Sequence, residues 1–67
     1  MMTSDERRAV YIAAMKYGFD DFAQICGVDT KKLLRFLKGE YDPIVEMKVR
    51  SNWKVVLDAL YGGARKQ

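Results

Sequence analysis

Apolar residues near the start of the chain fall at Val10, Ala13, Ala14 and Tyr17. That three- and four-residue spacing puts side chains on one face of a helix. Thr3, with Glu6 three residues later, fits a capping box, so this helix should begin at Thr3 or Ser4 and end at Gly18. Phe19 and Phe22 lead into a second, shorter helix that carries Ala23 and Cys26 on its apolar row and stops at Gly27. A third helix follows at once, opened by Asp29 or Thr30, either of which can accept from the free N–H groups of a first turn. Its inward face is Leu33, Phe36 and Leu37. Beyond Gly39, Asp42 as cap and Pro43 at the first helical position open another helical stretch, with Val45, Val49, Trp53, Val56 and Leu60 recurring every three or four residues. Ser51-Asn52 is a place where that stretch could divide in two. The pattern therefore predicts an all-α, compact four- or five-helix domain over residues 1–63, closed by Gly62-Gly63. Residues 64–67, Ala64-Arg65-Lys66-Gln67, are expected to form a basic flexible tail.

The middle of the chain is the most specific part. Two short helices that meet at close range need a small residue where one passes over the other, and Ala23 supplies it. Four residues on, Gly27 can take the left-handed conformation that ends a helix abruptly, and Val28 can plug the corner from inside. Leu33 and Phe36, three apart, then close the core. This is the residue pattern of a helix-turn-helix.

The outward face of the third helix carries the functional argument. Thr30, Leu34 and Lys38 follow one another at four-residue spacing, and Lys31 and Arg35 form a parallel row one residue over. Every charge between Thr30 and Gly39 is positive. As helix design this is poor: Lys31 and Arg35 repel at i,i+4 by roughly 0.2–0.5 kcal/mol. Lys31 and Lys32 also sit at the positive end of the helix dipole, which costs roughly 0.3–1 kcal/mol each at low salt. The arrangement becomes favourable beside a polyanion, because neutralising phosphates with counterion release supplies most non-specific DNA affinity. A solvated basic surface is the blander reading of such a cluster; the turn pattern next to it shifts the balance towards DNA.

Residues 20 to 43 resemble the helix-turn-helix of the Cro and phage-repressor family, in which a small residue, a turn glycine and two later apolar positions recur as Ala23, Gly27, Leu33 and Phe36 do here. The segment Gly39-Glu40-Tyr41-Asp42-Pro43 agrees with the glycine and following proline helix of that family. The resemblance covers about a third of the chain. It implies a lambda-repressor-like fold whose second motif helix enters the major groove, with residues near its N-terminus reading base edges. By position, Thr30, Lys31 and Arg35 match the base-reading sites. Arg35 is best suited to the O6 and N7 acceptors of guanine. Lys32, Lys38 and the Tyr41 hydroxyl would reach phosphates, joined by N–H groups at the start of the Asp20 helix. Leu34 could touch a thymine methyl or pack at the edge of the core.

Two features depart from the family pattern. Phe19 stands where relatives commonly carry a polar residue that bonds a phosphate, and the run Pro43 to Tyr61 lacks the further Gly-containing turn many relatives have. Dimerisation is expected nonetheless, because one such domain reads few base pairs. Ile44, Met47, Val55, Leu57 and Tyr61 lie partly off the main apolar stripe, and Trp53, Leu57 and Tyr61 are the candidate dimer surface. A homodimer would hold two reading helices about 34 Å apart on a near-palindromic double-stranded operator.

Composition narrows the alternatives. With 67 residues the chain can form one domain with a modest core. It has no His and a single Cys, so an internal disulfide is impossible and no metal site is expected; Cys26 reads as a small buried hydrophobe. A net charge of +3 is mild, and its concentration in residues 31 to 38 matters more than the total. Non-specific nucleic-acid packaging fits the size better than it fits this charge. Asp20, Asp21 and Asp29 are expected at helix starts, the first two as capping residues. No signal peptide or membrane span is visible, so a cytoplasmic, nucleoid-associated location is expected, with no membrane partner. No nucleophile–base pair and no phosphate-cradling glycine loop stands out, so the chain is not expected to be an enzyme or to need a cofactor or small-molecule ligand. The rival expectation is a protein-binding helix-turn-helix module such as an antirepressor, antitoxin or adaptor, favoured by Leu34 and Phe19 as the cations favour DNA.

Overall fold

The computed structural model describes residues 1–62 and is all-helical over them, with α1 at Ser4–Tyr17, α2 at Phe19–Cys26, α3 at Thr30–Leu37, α4 at Pro43–Ser51 and α5 at Trp53–Leu60. The expected tail 64–67 and Gly63 lie outside the described residues.

The helix ends follow from local chemistry. At α1 the Thr3 hydroxyl accepts from the Glu6 N–H at 3.1 Å, and the Thr3 N–H donates to Glu6 Oε1 at 2.9 Å, completing the capping box. Gly18 alone separates α1 from α2. The end of α2 is a Schellman motif: the Gly27 N–H donates to the Gln24 carbonyl at 3.1 Å and the Val28 N–H to the Ala23 carbonyl at 2.9 Å. Gly27 sits at φ 76°, ψ 34°, a conformation that costs an L side chain steric energy and glycine none. The end of α3 repeats the device. Gly39, at φ 115°, donates to Phe36 at 3.1 Å while Glu40 donates to Arg35 at 3.1 Å. Two glycine stops thus bracket α3 and hold it to eight residues.

At α4, Asp42 Oδ1 accepts from the N–H groups of Ile44 and Val45 at 3.1 and 3.2 Å, with Pro43 at the first helical position. The chain does break at Ser51-Asn52, which makes five helices among the described residues. Ser51 Oγ donates to the Met47 carbonyl at 3.0 Å and Asn52 Nδ2 to the Lys48 carbonyl at 2.8 Å. These side chains occupy carbonyls at the end of α4, and the chain turns before the apolar periodicity does.

The core is drawn from every helix. Val10, Phe22, Leu33, Phe36, Val45, Val49 and Val56 are fully buried, each of the larger ones contributing about 1.5–3 kcal/mol through burial. Ala13, Ala14, Ala23, Ala59 and Cys26 fill the spaces between them. α1 lies along α5 and α2, and α2 packs on α3. Two stripe residues, Trp53 and Leu60, are only half-buried against this core, because the break after α4 turns α5 away from the line that the stripe would have followed. Met2 is buried as well, although the sequence around it is polar. Its N–H donates to Glu46 Oε1 at 2.8 Å, which ties the segment before α1 to α4.

Candidate nucleic-acid interface

α2, the three-residue link Gly27–Asp29 and α3 form the region singled out by sequence. Burial of Leu33 and Phe36, with Leu37 half-buried, fixes the rotation of α3 about its axis. The opposite side must then face solvent. Lys31, Lys32, Leu34, Arg35 and Lys38 are all exposed. Leu34, at 36 % exposure, is the least exposed large apolar side chain of the surface group, which places it at the margin of the core with its outer side free.

The cations on this face form no ion pair among the described residues. Among the described residues every ion pair involves Glu6, Glu46, Arg50 or the N-terminal amino group. Lys31, Lys32, Arg35 and Lys38 take part in none of them. Among the described residues no ion pair offsets the repulsion expected between Lys31 and Arg35.

The candidate DNA-contact residues divide into four groups by position. Lys31 and Arg35 share the middle of the exposed face, one turn apart, with Lys38 at the C-terminal cap of α3. Lys32 points round one flank, where it lines a depression of about 190 Å³ with Gly27, Asp29, Asp42, Ile44 and Lys48. Thr30 occupies the other flank, half-buried, and its hydroxyl donates to Asp20 Oδ1 at 2.8 Å. Tyr41 is exposed at 59 % in the link between α3 and α4. Of the candidate dimer surface, Leu57 and Tyr61 are exposed whereas Trp53 is partly committed to the core.

Two capping expectations are corrected here. Asp29 is the N-cap of α3 in backbone conformation, but its side chain makes no capping hydrogen bond. Thr30 does not cap either, since its hydroxyl is turned towards α2. Asp20 and Asp21 likewise do not cap α2, whose N-cap is Gly18 with no side-chain bond; they lie in the first turn, where the dipole favours acids, and one oxygen of Asp20 is taken by Thr30. For Thr30 and Asp20 a tertiary partner takes the place of a local one.

A further cation joins the region from α4. Lys48 Nζ donates to the Gly27 carbonyl at 3.0 Å, placing an ammonium beside the link between α2 and α3. Nothing in the local pattern marks Lys48, because its partner lies 21 residues away. Cys26, by contrast, is where its apolar row put it. Burial pushes its thiol above the ordinary value, as expected for a structural cysteine rather than a reactive one.

Among the described residues no group of His, Cys, Asp and Glu could hold a metal ion, and no helix is long and apolar enough to cross a membrane. Comparison of the chain with protein-family models, with curated proteins and with solved structures gives no match.

Proposed function

We propose that this protein is a sequence-specific DNA-binding transcriptional regulator, a small repressor of the phage or prophage type, in which α2 and α3 act as a helix-turn-helix and α3 reads the major groove. The observation that carries this reading is the exposed row Lys31, Lys32, Arg35 and Lys38, which has no ion-pair partner among the described residues. Short α3, cut off by Gly39, presents that row as a compact ridge, the shape a groove of about 12 Å width accepts. In this reading Thr30, Lys31 and Arg35 contact base edges, and Lys32, Lys38 and Tyr41 meet phosphates. Lys48 adds a phosphate contact beside the turn. A homodimer formed through Leu57 and Tyr61 would place two copies of α3 on a near-palindromic operator in the cytoplasm, at the nucleoid.

A second reading is favoured by one observation. Leu34 and Ile25 are exposed apolar residues on α3 and α2, and an adaptor, antitoxin or antirepressor would use them to grip another protein.

Selection of bound duplexes from a randomised pool at near-physiological salt separates the two readings, with Arg35→Ala in parallel. Enrichment of a two-fold-symmetric site, relaxed at one base pair per half-site by Arg35→Ala, is the expected result. A folded protein that enriches nothing would transfer the function to the protein-binding reading.

A further inference from the structure

The hydrogen bond between Thr30 and Asp20 fixes more than the packing of α2 on α3. A hydroxyl has one proton and two lone pairs, and a carboxylate can only accept. In the 2.8 Å contact Thr30 Oγ1 therefore donates, and its proton is committed to Asp20. What Thr30 has left to offer solvent is an acceptor. Its neighbours on the face are the reverse: Lys31 and Arg35 carry donors alone. α3 thus shows a donor surface with one acceptor corner at its N-terminal end.

In the major groove adenine N6 and cytosine N4 are donors, whereas guanine O6 and thymine O4 are acceptors. An acceptor corner can bond the first pair. Against the second it would lose water without gaining a partner. Resting on the DNA-reading role of α3, we propose that Asp20 is a positioning residue that locks Thr30 as a hydrogen-bond acceptor, so that the base met by Thr30 is selected for an amino group (adenine or cytosine) and against a keto group (guanine or thymine).

Asp20 also carries a negative charge, but its effect on phosphates is common to all sequences. The hydrogen-bond effect is confined to one position of the site, which makes the two separable. The test compares selected sites, and then affinities for single-base variants of the best site, among wild type, Thr30→Val, Asp20→Ala and Asp20→Asn. Asp20 is exposed and Thr30 half-exposed, and circular dichroism checks that each variant is folded.

Wild type should prefer adenine or cytosine at one position per half-site by about two- to tenfold, the worth of one net hydrogen bond. Thr30→Val and Asp20→Ala should both erase that preference at the same position, with Asp20→Ala also raising affinity for every sequence. Asp20→Asn, whose amide can accept from Thr30 or donate to it, releases the lock in part and should weaken the preference without erasing it. A keto preference at the Thr30 position, or an amino preference that survives Asp20→Ala, would overturn the proposal. An Asp20→Ala effect that is uniform over all positions, with the preference at the Thr30 position unchanged, would assign the role of Asp20 to charge and overturn it too. If wild type selects no site at all, the DNA-reading role itself falls and this inference with it.

Discussion

The Arg50 guanidinium on α4 grips the Glu6 carboxylate on α1 with both terminal nitrogens, at 3.3 and 3.1 Å. The same Glu6 closes the capping box of α1, and Arg50 Nε lies 3.5 Å from Glu46, which in turn holds Met2. One cation therefore joins a helix start, a helix body and the segment that precedes them.

The network has a definite pH signature. The Thr3 N–H, and after it Arg50, hold the Glu6 carboxyl below its ordinary value of 4.5. At Glu46 burial pushes upward, but the Met2 N–H, the N-terminal amino group and Arg50 together leave it below 4.5. Both folded values are depressed, so their stabilisation is complete above the unfolded value and is lost as pH falls through the folded ones. Arg50→Gln should thus lower Tm at neutral pH, and the difference from wild type should shrink as pH drops below about 4.5. Thermal melts at a series of pH values check this; a Tm difference independent of pH would mean that Arg50 acts by packing alone.

Gly27 tests the turn. A Cβ there would meet no atom within 4 Å, so Gly27→Ala carries a backbone cost and no collision. A destabilisation of about 1–2 kcal/mol is expected from the left-handed conformation. Urea denaturation measures it, and an unchanged midpoint would show that the link can adopt another conformation at no cost.

Cys26 should resist thiol reagents in the native state. It is 5 % exposed, and burial raises its pKa, so both access and thiolate fraction are low. Reaction with an aromatic disulfide reagent at pH 8 should be slow in buffer and fast in denaturing urea. Rapid modification without urea would place Cys26 at the surface.

The proposed dimer surface can be probed where it is separate from the core. Leu57 is 41 % exposed, and Tyr61 follows one turn later with its N–H on the Leu57 carbonyl at 2.9 Å. Leu57→Glu should abolish self-association in sedimentation experiments while the monomer keeps its helical content. Trp53→Ala is a poorer probe, because Trp53 also packs on the core and its loss would destabilise the monomer. A Leu57→Glu protein that sediments as wild type would move the dimer surface elsewhere.

Much of the architecture is legible without coordinates. Thr3 and Glu6, Gly27, Gly39, Asp42 and Pro43 all act on backbone groups within a few residues of themselves, so their roles are written in adjacent positions. The burial of Leu33 and Phe36 is equally local, since three-residue spacing sets one face of α3 and the cations the other. Short-range signals also marked Ser51-Asn52 as a possible break. Whether it broke depended on whether two side chains reached carbonyls of the preceding turn, and the competing apolar stripe argued for continuity.

The sequence by itself determined an all-helical pattern over the described residues, where most of its helices start and stop, and which side of α3 is cationic, because helix periodicity and end-capping are properties of neighbouring residues. Only the tertiary structure decided that Thr30 donates to Asp20 rather than capping α3, that Lys48 reaches Gly27, and that Arg50 and Glu6 meet across 44 positions. Such partners are chosen by how the helices pack on the shared core, and a polar side chain with a capping role available locally gives it up when packing brings a charged acceptor within reach.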